Sequence, residues 1–238
     1  LESNQGKERM KPVFLDFETE AIGPRPAYPP RPVGLAVYDP EGEFVDGYYA
    51  FGHAVGNNST EKAVKIILEA IYESNRSICF HNSIFDLDVA ETHLDLPFPE
   101  PSRLHDTLIL AFLYNPHVPS LSLKDLVVTY GLAQPNERDE LRDWLIANVP
   151  EARRKKSTWG AYICHGPVEL VGMYACADVK LTSLLYDFLV SHVLPAQTEP
   201  YLREMELIPM LLENSRLGVR VDRVGLEKAK QQAIIDIE

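Results

Sequence analysis

The stretch Pro12-Val-Phe-Leu-Asp-Phe-Glu18 decides how the chain is read: an apolar run of β type that carries two carboxylates near its far end. Successive side chains of a strand point to opposite faces, so Asp16 and Glu18, two residues apart, share one face of the sheet this run enters. Like charges on one rim repel unless a cation lies between them. The pair alone leaves two readings open, a solvated strand end or a cation-binding edge.

Outward from that strand, Pro32-Val-Gly-Leu-Ala-Val-Tyr38 and Gly42-Glu-Phe-Val-Asp-Gly-Tyr-Tyr-Ala-Phe51 follow after turn signals and read as a second and third strand, antiparallel in sequence. The intervening Gly23-Pro-Arg-Pro-Ala-Tyr-Pro-Pro-Arg-Pro32 is too dense in proline for a helix or a central strand. It is expected to be an exposed loop beside the carboxylates. Thr60 caps an amphipathic helix reaching Ser74, with Glu61 in its first turn and Ala63, Val64, Ile67 and Leu68 in its apolar stripe. Ser77-Ile-Cys-Phe-His81 reads as a buried strand feeding a helix over 83–92. Further helices are expected over 107–113, 123–130, 137–148 and 167–189. After Pro195 the pattern is helical over 199–215, stops at Gly218-Val-Arg-Val-Asp222, and is helical again over 223–238. Three strands followed by alternating helix and strand predict an α/β fold, a mixed sheet flanked by helices.

A chain of 238 residues, 45% hydrophobic and 24% charged, can bury a core without disulfides or structural metal. Cys79, Cys164 and Cys176 are odd in number and form no CxxC pair, which argues against a disulfide scaffold and for a reducing compartment. No run approaches the ~20 apolar residues of a membrane span, and residues 1–10 lack the apolar core of a signal peptide. No membrane partner is expected. The net charge of −12 opposes general binding to nucleic acid through Lys and Arg. Carboxylate-bound cations would reverse that locally, because the ion is then the largest charge in the site.

Two more segments carry chemistry. Asp86, in His81-Asn-Ser-Ile-Phe-Asp86, starts a helix among apolar residues, where an aspartate also serves as a cap or dipole partner. Tyr174 and Asp178, in Tyr174-Ala-Cys-Ala-Asp178, are four apart and share a helix face, with a core tyrosine and a solvated aspartate as the plain alternative. Asp16, Glu18, Asp86 and Asp178 together form an all-oxygen donor set suited to two Mg²⁺ or Mn²⁺ ions. Zinc is the poorer match, since His53, His81, His93 and His105 show no paired ligand spacing. Each of those histidines is read as structural or solvent-facing.

In order, Asp16-Phe-Glu18, Asn82-Ser-Ile-Phe-Asp86 and Tyr174-Ala-Cys-Ala-Asp178 resemble the three motifs of the DEDDy group of 3′→5′ exonucleases. His105-Asp-Thr-Leu-Ile-Leu-Ala-Phe-Leu-Tyr114 and Leu121-Ser-Leu-Lys-Asp-Leu126 resemble intervening segments of the proofreading domain of A-family DNA polymerases, bacterial or phage. Met205-Glu-Leu-Ile-Pro-Met-Leu-Leu-Glu-Asn-Ser-Arg-Leu-Gly-Val-Arg-Val-Asp222 resembles the junction between that domain and the polymerase. The resemblance implies a ribonuclease H-like exonuclease domain over 12–196, after a tail or linker at 1–11, and a helical junction opening a truncated polymerase domain over 197–238. It implies a monomeric cytoplasmic enzyme, in a bacterial or phage-infected cell, that acts on single-stranded or frayed DNA 3′ ends alongside the remainder of the polymerase chain.

In site terms, the resemblance implies that Asp16 bridges two metals, that Glu18 and Asp178 complete one site, and that Asp86 supports the other. Tyr174 and Glu18 would orient the attacking water. Asn82 would contact the terminal nucleotide, with Thr19, Ile22 and Phe85 around it. Residues 132–167 follow the family loosely; Trp159 is the aromatic expected to stack on a base, and Arg153-Arg-Lys-Lys156 reads as a solvated turn or a backbone track. A ribonuclease D-like RNA exonuclease and a non-catalytic 3′-end-binding module are the alternatives.

Overall fold

The computed structural model describes residues 10–134 and 139–237; the tail at 1–9, residues 137 and 138 of the helix expected over 137–148, and Glu238 lie outside them. Five strands form one sheet in the order β3-β2-β1-β4-β5. β1 (Val13–Thr19) and β2 (Pro32–Tyr38) pair antiparallel, as do β2 and β3 (Gly47–Ala50). β4 (Ile78–Phe80) and β5 (Leu104–Asp106) join β1 in parallel, Phe14 facing Cys79 and Cys79 facing His105. The mixed sheet flanked by helices is the architecture expected from the sequence. β5 was not: three residues, Leu-His-Asp, are too short to show a period of two.

β1 sits in the middle because its apolar half suits burial on both faces; Val13, Phe14 and Leu15 are at most 1% exposed. Helix α1 (Glu61–Glu73) is capped by Thr60, whose hydroxyl accepts from Ala63 N at 3.2 Å, and buries Val64, Leu68 and Ile71. Helices α2 (Ser83–Leu94), α3 (Thr107–Tyr114), α4 (Leu123–Thr129) and α5 (Glu140–Asn148) follow near their expected positions. Short α6 (Pro150–Arg154) and a 3₁₀ segment, Lys156–His165, fill the stretch with the loosest pattern.

The helices expected over 167–189 and 199–215 are one element, α7 (Val168–Leu217), kinked at Gln197 (φ −131°, ψ 28°). Pro200 explains the kink: its ring would strike the carbonyl four residues earlier, and opening the helix there relieves the clash. Past the kink, Tyr201, Met205 and Ile208 are buried in the same core as the sheet. Gly218, at φ +70°, ends α7, and α8 (Arg223–Ile237) buries no residue. No helix among the described residues is long and apolar enough to cross a membrane.

Candidate active site

Because β1, β4 and β5 are parallel, their C-terminal ends meet at one edge of the sheet, where open α/β sheets place ligands. Asp16 and Glu18 stand at that end of β1, half-buried and on the face that also holds Phe14. α7 crosses this face. Tyr186 packs edge-on against Phe14, with ring centroids 5.7 Å apart, and two turns earlier in α7 Asp178 comes beside Asp16.

The fourth carboxylate follows β4 in the chain. The chain leaves β4 through Asn82, an exposed residue held at φ +72°, and turns at once into α2, so that Asp86 is buried in its first turn. Asp86 Oδ1 accepts the Phe17 N–H at 3.0 Å, which places it between Asp16 and Glu18 along β1. Asp106, at the end of β5, fixes this turn. Its Oδ1 accepts from Asn82 N (3.0 Å) and Leu108 N (2.8 Å), and its Oδ2 from Ser83 N and Ser83 Oγ (both 2.7 Å).

The electrostatics are those of a like-charge cluster. Burial, followed by repulsion from Asp178, pushes the Asp16 carboxyl up to about 7. Burial together with Asp16, Asp178 and Asp86 drives Glu18 well above the usual carboxylate range. Asp86 is raised by burial and by Asp16, against the pull of the Phe17 N–H, and Asp178 is raised chiefly by burial. The opposing charge comes from Lys124 on α4. Its Nζ lies 3.6 Å from Asp178 Oδ2 and 3.7 Å from the centroid of the Tyr174 ring, and it lowers Asp16, Glu18 and Asp178 together. Tyr174 also stands beside Asp178 and helps to lower its carboxyl. Burial and Asp178 hold its hydroxyl far above the usual tyrosine range, so it is a neutral donor rather than a base.

This donor set fits hard divalent cations: four oxygen-bearing side chains in mutual repulsion, which a cation between them would relieve. Among the described residues, no three His, Cys, Asp or Glu side chains already stand in metal-holding geometry. The physical reason is visible in the partners: Asp86 is turned to the Phe17 N–H and Asp178 to Lys124. A cation at Asp178 Oδ2 would meet the Lys124 ammonium 3.6 Å away.

The remaining expected site residues surround this edge unequally. Thr19 is buried, with its hydroxyl donating to Glu20 O at 3.0 Å, and Ile22 is 67% exposed. Phe85 is half-buried against Tyr28, 6.4 Å between centroids. Trp159 is half-buried and meets Tyr174 at 5.8 Å and 90°, which brings it to the site. In the basic run, Arg153 is occupied: it donates to the carbonyls of Ile146 and Ala147 at the end of α5, while residues 154–156 are exposed. The histidines are structural here. His53 pairs with Tyr48 (2.7 Å), His81 with Thr107 and Leu121 O, His93 with Pro29 O, and His105 with Tyr201.

Sequence reasoning missed Lys124, Asp106 and Tyr28. Lys124 lies inside the Leu121–Leu126 segment, but nothing in its neighbours foretells that it meets Asp178. A cavity of about 900 Å³ opens beside this pair, lined by Tyr174, Asp178, Lys124, Leu170 and Met173 among others.

No protein-family model matches the chain. Over 185 residues, 76% of this chain, it is 25% identical to the DNA polymerase of Escherichia phage T5, and it spans about a fifth (20%) of that polymerase's length. In fold it is similar to a solved nuclease in its apo form (TM-score 0.58, 18% identity, 88% of this chain and 86% of that one). It is similar too to Brucella melitensis NrnC with bound Mg²⁺ (TM-score 0.55, 18% identity, 88% of this chain and 87% of that one). The fold is thus the ribonuclease H-like mixed sheet of these nucleases, and the sequence similarity agrees with the resemblance to polymerase exonuclease domains drawn from the three motifs.

Proposed function

We propose that this chain is the 3′→5′ exonuclease part of a DNA polymerase, hydrolysing the 3′-terminal phosphodiester of single-stranded or frayed DNA and releasing nucleoside 5′-monophosphates. The observation that carries the reading is the convergence of Asp16, Glu18, Asp86 and Asp178, from β1, α2 and α7, at one sheet edge with Tyr174 beside them. Similarity to a phage DNA polymerase favours DNA as the substrate and the rest of a polymerase chain, reached through residues 197–238, as the partner.

When bound, two Mg²⁺ or Mn²⁺ ions held by Asp16, Glu18, Asp86 and Asp178 supply water activation and charge neutralisation at the phosphate. The chain's own residues do the placing. Tyr174, kept protonated by its surroundings, donates a hydrogen bond to the attacking water, and Glu18 accepts one from it. Asn82, exposed at the α2 entry, reaches the terminal nucleotide, and Thr19, Ile22, Phe85 and Trp159 complete its surroundings. Mispaired ends are preferred because they reach the cleft at a lower cost of unpairing.

The test is release of mononucleotides from 3′-labelled DNA and RNA oligonucleotides of matched sequence. Asp16→Ala and Asp178→Ala are each expected to lower Mg²⁺-dependent release by about 10²–10³-fold, the scale on which removal of a transition-state electrostatic group acts. Survival of activity in both would refute the site. A clear preference for RNA would move the substrate to RNA processing, and tight 3′-end binding without cleavage would make the chain a binding module.

A further inference from the structure

Asp88 on α2 has no part in the chemistry above, yet its carboxylate is 1% exposed and is gripped from two sides. Arg216, at the end of α7, donates to Asp88 Oδ1 through Nε (2.9 Å) and Nη2 (2.6 Å) and bridges to Glu91 at 2.8 Å. Arg25, in the proline-rich loop, meets Asp88 Oδ2 at 3.1 Å and Ser215 Oγ at 3.4 Å. The Arg25 guanidinium also lies 4.8 Å from the centre of the Tyr28 ring, and Tyr28 packs on Phe85 beside Asp86. A second tie, from His93 Nε2 to Pro29 O at 3.0 Å, holds the far side of the same loop.

A buried carboxylate is stable only when its charge is matched, and two planar guanidinium forks match it with fixed direction. Three distant segments are therefore locked together: the loop leaving β1 just past Glu18, the helix carrying Asp86, and the last turn of α7. We infer that Asp88 and Arg216 are positioning residues, which act through Arg25 to hold Tyr28 and the proline-rich loop as a fixed wall beside Phe85, on the side where the terminal nucleotide enters. This inference rests on the exonuclease reading for its substrate. The lock itself is a property of the chain.

Two measurements on the whole chain separate those parts. Hydrogen exchange of the two backbone N–H groups that the loop protects, Ala27 N–H on Pro24 O and Glu20 N–H on Arg31 O (both 2.9 Å), is expected to accelerate about tenfold or more in Arg216→Ala and in Arg25→Ala, with β1 unchanged and Arg216→Lys closer to wild type. On a 3′-labelled single-stranded DNA, the two alanine variants should raise KM about fivefold or more and change kcat less than KM. Should Arg216→Ala fail to fold, Arg25→Ala, on an exposed loop, decides. Unchanged exchange in the loop overturns the lock. Unchanged KM in an active enzyme overturns its role at the pocket. A wild-type chain that cleaves nothing overturns the exonuclease reading, and the exchange result still judges the lock.

Discussion

At the scale of single residues, Lys124 carries the most consequence for metal binding. A tethered ammonium 3.6 Å from Asp178 competes for the carboxylate that a divalent cation would take. In Lys124→Met that competitor is gone, and Mn²⁺ measured by calorimetry at about pH 8 should bind about fivefold tighter, equivalent to the ~1 kcal/mol of a partly exposed ion pair. Equal or weaker binding would count against this role. The carboxyls themselves set a pH signature. Each of the four binds its proton more tightly in the folded chain than in the unfolded one, so their contribution to stability is fully present below the ordinary carboxylate range. It is lost as pH rises through the folded values, about 7 for Asp16. In chelator, the melting temperature should therefore fall between about pH 5 and about pH 8, and saturating Mg²⁺ should flatten that fall. A flat profile in chelator would show that burial and mutual repulsion do not raise the carboxyls as described. The four carboxylates and Tyr174 were legible in the sequence because each lies in a short ordered motif. Lys124 was not, since its meaning comes from α4 packing against α7.

Among the elements, the α2 entry depends on Asp106, whose two oxygens accept four hydrogen bonds from Asn82, Ser83 and Leu108. Asp106→Asn keeps the shape but turns one acceptor into an NH₂ that faces another donor. A loss of about 2–3 kcal/mol is expected in urea unfolding, typical of a buried donor left without its acceptor. Activity should fall beyond what unfolding explains, because Asp86 sits one turn from the damage; full activity in a folded variant would contradict this. Periodicity and caps made the longer elements legible: Thr60 opens α1 as read, and Gly218 closes α7. They failed where length or proline misled. β5 is too short for a pattern, and Pro195 suggested a break where one helix continues, kinked at Gln197 ahead of Pro200.

For the molecule as a whole, the segment past the kink is part of the same packed core. The Tyr201 side chain is 1% exposed; its hydroxyl accepts from Asp106 N at 3.1 Å and pairs with His105 Nδ1 at 3.0 Å. Tyr201→Phe should cost about 1–3 kcal/mol in chemical denaturation, by stripping the Asp106 N–H of its acceptor. A chain ending at residue 196 should show no cooperative unfolding transition, because Tyr201, Met205 and Ile208 leave the core together; a sharp transition there would show that the rest folds alone. This dependence was hidden in the sequence, where helical pattern says nothing of which surface a helix meets. α7 also works as a ruler. It carries Asp178 near one end and Tyr201 and Arg216 towards the other, and one residue added or removed between them would swing the later pair by about 100° and slide them about 1.5 Å. Insertions and deletions there should be rejected in a library screened for folding, whereas the turn at residues 116–120, outside any strand or helix, should accept them.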